Sequence, residues 1–87
     1  MNEDRLRKFF HVAFKIKNNH PDFGVHVDIA KKYIGSEFDI VSETSINRIY
    51  DEMIMSKFLF VGISGIKANE FLEEEYQTFI KKAKGAF

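Results

Sequence analysis

The sequence contains no cysteine and no tryptophan, and its one proline is Pro21. Without cysteine there is no disulfide framework, no thiolate nucleophile and no cysteine-bound zinc. Net charge is also missing, because 13 Lys and Arg cancel 13 Asp and Glu. A histone-like basic protein and an acidic tail are both excluded. No apolar run approaches the roughly 18 residues of a membrane span. Gly62 and Gly65 are too few and too close to form a phosphate-cradling loop. The N-terminal MNEDRLRKFF mixes acids with bases and lacks the basic-then-apolar order of a signal peptide. A cytoplasmic location is the expectation.

The chain has 87 residues, enough for a single domain over 1–87 and too few for a doubly wound or barrel enzyme. With 45% hydrophobic and 30% charged residues its balance is globular. A domain of this size buries only about 60–65% of its unfolded surface, so its core must be dense. Ten Phe and three Tyr meet that need, each removing about 150–250 Å² from water when buried. That is many rings for one small interior, and part of the excess is expected at a homodimer surface. The candidates are Phe10 and Phe14 in the first helix and Phe71 and Phe79 near the last.

The segment from Asn18 to Gly24, around Pro21, is the clearest break. Before it, Leu6, Phe9, Phe10, Ala13, Phe14 and Ile16 recur at helical spacing, which predicts a helix over about residues 3–18. Glu3 and Asp4 suit its start, and Lys15 and Lys17 its end. Phe23 to Val27 alternates and reads as a short strand. Asp28 is then a candidate N-cap for a second helix with Ile29, Ala30, Tyr33 and Ile34 on one face. Gly35 is its candidate C-cap, and Ser36 to Ile40 form a loop.

Ser42 is a good N-cap for a third helix over 42–56, in which Ile46, Ile49, Tyr50 and Met53 form one buried face. KFLFVGI reads as a strand of about five residues. Only about eight residues separate Phe58 from the last helix, so a wing would be short or degenerate. Ala68, Leu72, Tyr76, Phe79, Ile80 and Ala83 form a final helical stripe ending at Gly85. The expected class is mostly α with a small β element and about four helices.

Residues 42–59 read SETSINRIYDEMIMSKFL. They resemble the recognition helix of winged helix-turn-helix proteins of the gluconate-repressor (GntR) type, approximately S-R-x-T-V-x-x-A-L-x-x-L-x-x-x-G-L-I. Ser42 takes the capping serine, and Ser45 and Ile46 take the Thr-Val pair. Ile49 and Tyr50 take Ala-Leu, and Met53 takes the core leucine. Phe58 and Leu59 take the apolar start of the strand. Ile29-Ala30-Lys31-Lys32 is similar to the preceding helix. The match is close over about 35 residues. SGIKANEFL is weakly similar to the approach to the last helix in small bacterial winged-helix proteins of the YjcQ type.

Three positions depart from the pattern. Ser36 to Ile40 lengthen the turn, Glu43 stands where many members carry Arg, and Lys57 replaces the usual Gly before the strand. The resemblance implies that the third helix enters the DNA major groove with Ser42, Thr44, Asn47 and Arg48 toward base edges. Arg pairs bidentately with guanine and Asn with adenine. Lys31 and Lys32 would hold phosphates.

Charge by segment opposes that role. Residues 1–34 carry seven bases and four acids, 35–66 two bases and five acids, and 67–87 four of each. The recognition half is the acidic half, and Asp51 and Glu52 follow Asn47 and Arg48 by one turn. Phosphate neutralisation supplies most nonspecific DNA affinity. A second function is therefore open: a non-enzymatic protein-interaction module or inhibitor on the same scaffold, docking through Asp51 and Glu52. No enzyme is expected. His11, His20 and His26 make no metal set, no nucleophile elbow is present, and Glu73-Glu74-Glu75 reads as a solvated face. No cofactor is implied.

Overall fold

The computed structural model describes residues 3–83. Four helices and a two-stranded antiparallel sheet follow in the order α1 (Glu3–Asn19), α2 (Val27–Phe38), α3 (Glu43–Met55), β1 (Leu59–Gly62), β2 (Gly65–Ala68) and α4 (Leu72–Ala83). The expected end at Gly85 lies outside the described residues. Among the described residues no helix is long and apolar enough to cross a membrane.

α1 forms where its apolar spacing places it, and it buries Phe9, Phe10, Val12, Ala13 and Ile16. Its opening turns carry the pairs Glu3–Arg7 at 3.2 Å and Asp4–Lys8 at 3.6 Å, each worth a few tenths of a kcal/mol in an exposed helix. Phe9 is fully buried. Its ring centroid lies 5.8 Å from Phe38 and 5.3 Å from Phe58, so one side chain ties α1 to the end of α2 and the approach to β1. Phe10 packs edge-on to Phe58 at 4.9 Å and meets Tyr76 and Phe79 of α4 at 5.2 and 5.3 Å. The aromatic excess is thus largely consumed inside one chain.

α2 differs from its expected bounds at both ends. Its cap is His26, whose Nδ1 accepts the Asp28 N–H at 3.1 Å. A ring nitrogen here does the work of a capping oxygen, and Asp28 lies inside the first turn. At the other end the helix runs through Gly35 to Phe38 and stops at Asp39, in the left-handed conformation with φ 54°. Gly35 is there because α3 crosses closely. A Cβ at this position would lie 3.1 Å from the Ile40 carbonyl oxygen and 3.3 Å from Ile46 Cδ1.

α3 starts as its sequence indicates. The Ser42 hydroxyl accepts the Ser45 N–H at 3.4 Å. Ile49 and Met53 are buried, with Ile46 and Tyr50 half-buried beside them. The helix ends in a Schellman motif: Phe58 N–H donates to the Met53 carbonyl at 3.0 Å and Lys57 N–H to the Ile54 carbonyl at 3.1 Å. The motif needs a left-handed residue between them, usually Gly. Lys57 fills it with φ 65°.

The segment after α3 forms a short, complete hairpin. β1 pairs β2 from Leu59↔Ala68 to Gly62↔Gly65, so a two-residue turn, Ile63-Ser64, suffices. Ala68, expected in the last helix, therefore belongs to β2. The segment expected as the strand Phe23 to Val27 contributes one antiparallel bridge, Val25↔Ile66. Its hydrogen bonds are 2.9 and 2.7 Å, and Gly24 N–H donates to Ser64 Oγ at 3.0 Å. This crossing depends on two glycines. A Cβ on Gly24 would sit 2.6 Å from the Gly65 carbonyl carbon. One on Gly65 (φ 121°) would sit 2.5 Å from the Val25 oxygen.

Candidate nucleic-acid interface

The core face of α3 fixes what its outer face presents. Thr44, Arg48, Asp51 and Met55 recur at i, i+4, i+7 and i+11, opposite Ile49 and Met53, and all four are exposed. Thr44 and Arg48 are therefore brought together on one outward stripe. Ser42 is also exposed, but its hydroxyl is engaged as the helix cap.

Asn47 does not join that stripe. It is half-buried, and its side-chain oxygen is buried without a hydrogen-bond partner among the described residues. A carbonyl oxygen turned inward cannot make the bidentate contact with adenine that the sequence reading gave to this residue.

The two lysines of α2 also separate. Lys31 is half-buried and its Nζ lies 5.4 Å from the centre of the Tyr50 ring, a cation–π contact joining α2 to α3. Burial and the adjacent Asp51 charge raise the Tyr50 pKa, which keeps that ring neutral. Lys32 is exposed.

The acidic pair divides in the same way. Glu52 accepts from Arg5 Nε and Nη2 of α1, both at 2.9 Å. Hydrogen bonding to Arg5 holds its carboxyl below the usual glutamate value, and the same contact raises Arg5. Glu52 thus clamps α3 to α1. Asp51 stays exposed.

Of the rings expected at a dimer surface, Phe10 is only 4% exposed and belongs to the core. The reason is the packing of α4 on α1, which turns Phe79 onto Phe10 and Tyr76 onto Phe14. Phe14 and Phe79 are half-buried by these contacts, while Phe71 is 57% exposed. Sequence reasoning missed the apolar hairpin: Phe60, Val61 and Ile63 are exposed on and beside β1. The apolar run was legible as a short strand punctuated by Gly62, but periodicity alone did not show that these side chains face outward. Comparison with family models, with curated proteins and with solved structures finds no match.

Proposed function

We propose that this protein is a small winged-helix regulator that binds duplex DNA through the outward face of α3. The observation that carries this reading is the order helix, bridge strand, helix, turn, helix, hairpin, with the bridge strand on β2 and a short hairpin following α3. In that arrangement α3 is the helix placed for the major groove. Thr44 and Arg48 face the bases, Ser42 marks the helix start, and Lys32 takes a backbone phosphate. The protein is non-enzymatic and cytoplasmic in this account. A homodimer would raise affinity by joining two modest half-site contacts. Its surface would not include Phe10, which is buried in the core.

A fluorescence anisotropy titration with labelled duplex DNA tests the reading. Binding should be detectable at low salt and fall as salt rises. Arg48→Ala should weaken it and relax sequence preference. No binding at low salt would refute it, and sedimentation equilibrium tests the dimer separately.

One observation favours a second reading, a protein-docking module. The outer edge of β1 has no strand partner among the described residues, and Phe60, Val61 and Ile63 are exposed there. Such an edge suits an added strand from another protein. Asp51→Lys should strengthen DNA binding under the first reading, whereas Val61→Lys on the exposed edge should leave DNA binding unchanged and abolish strand addition under the second. Glu52 should be left intact in that test, because reversing it would break the clamp to Arg5.

A further inference from the structure

A groove of roughly 680 Å³ lies between the C-terminal end of α1, the sheet and the start of α4. Its volume is that of an ordinary small-molecule site. Lys17, Lys57 and Lys67 line it, coming from α1, the turn after α3, and β2. None of the three joins an ion pair among the described residues. Phe60 and Phe71 supply apolar walls at 45% and 57% exposure. Phe60 and Lys67 are direct cross-strand partners, so an aromatic face and a cation stand side by side on one face of the sheet.

The wall is held in place. Asn69, one of the lining residues, is only 7% exposed. Its Nδ2 donates to the Lys57 carbonyl and to Glu75 Oε1, both at 3.1 Å, and its Oδ1 accepts the Phe71 N–H at 2.8 Å. One buried amide thereby fixes the lysine turn, the Phe71 backbone and one carboxylate. Two acids, Glu70 and Glu75, also line the groove. The hydrogen bond from the neutral Asn69 amide cancels no charge on Glu75, and the three lysines outnumber the two carboxylates by one. Lys57 also occupies a backbone position that favours glycine. Strain of that kind is concentrated at functional sites.

The geometry points to a binding site for a small monoanion with an apolar, aromatic body, such as an aromatic carboxylate. The ring stacks against Phe60 and Phe71, and the carboxylate is held by Lys57 and Lys67, with Lys17 adding a third positive charge to the lining. The site is separate from the outward face of α3 and does not depend on DNA binding.

Titration of the isotope-labelled protein with indole-3-acetate, followed by amide chemical shifts, tests this directly. Saturable shifts should appear at Lys57, Phe60, Lys67, Asn69 and Phe71. The neutral indole-3-acetamide should bind at least several-fold more weakly. Lys57→Gln and Lys67→Gln are surface changes, and each should weaken the acid roughly three-fold and together about ten-fold, without changing affinity for the amide. Equal binding of acid and amide, or no saturable shift up to about 10 mM, would overturn the proposal. Shifts at these lysines with duplex DNA but not with indole-3-acetate would assign them to phosphate contacts and overturn it equally.

Discussion

Lys57→Gly should make the protein more stable. The left-handed conformation at φ 65° costs a residue with a Cβ about 1–2 kcal/mol. Glycine removes that cost but loses more backbone entropy on folding, about 0.5–1 kcal/mol. The Lys57 side chain is exposed and makes no ion pair among the described residues, so little contact energy is forfeited. The net gain is about 0.5–1 kcal/mol. A domain of 60–100 residues gains about 4–8 °C in Tm per kcal/mol, which gives a rise of about 2–8 °C. Thermal unfolding followed by circular dichroism measures it. Lys57→Ala is the internal control: it keeps the Cβ, hence the strain, and should give no such rise. Asp39→Gly, at the equivalent stop of α2, should gain less, because Asp tolerates this conformation better than Lys. A fall in Tm for Lys57→Gly, or an equal rise for Lys57→Ala, would refute the strain argument.

Phe9→Ala should destabilise by about 3–5 kcal/mol, a large part of the total for so small a domain. Denaturant melts would show the loss as a lower midpoint. Gly24→Ala forces a Cβ to 2.6 Å from the Gly65 backbone. Amide exchange at Val25 and Ile66 should accelerate far more than exchange in α3, and uniform protection would contradict the close crossing. Glu52 has a carboxyl held below its ordinary value of 4.5 by Arg5. Its contribution is complete above that ordinary value and is lost as pH falls through the lower folded value. A plot of Tm against pH should therefore decline in acid more steeply for the parent chain than for Glu52→Gln.

Much of the fold is legible because its signals are local. The apolar spacing of α1, the Ser42 cap and the buried face of α3 can be read from adjacent residues. The errors fall where a residue plays another's part. Gly35 resembles a helix stop, yet its small size serves the contact with Ile46. The actual stops are Asp39 and Lys57, neither of them glycine. The hairpin was hidden because its turn, Ile63-Ser64, has no glycine or asparagine within it. The glycines flank the turn and serve the strand pairing and the crossing near Val25.

The site is legible in part for the same reason. Helical spacing places Thr44 and Arg48 on one stripe. It does not show that Lys31 lies over Tyr50 or that Asn47 turns inward. Glu52 finds its partner 47 residues earlier, at Arg5, and no local pattern encodes that contact. The acidic middle segment is thereby less acidic toward solvent than its sequence suggests, since one carboxylate is committed to α1.

DNA binding through α3 is best tested by amide chemical-shift mapping during addition of a short duplex at low salt. Shifts should concentrate at Ser42, Thr44, Arg48 and Lys32, be absent in the core of α4 and reverse with added salt. Shifts confined to the hairpin, or none at any residue of α3, would contradict it.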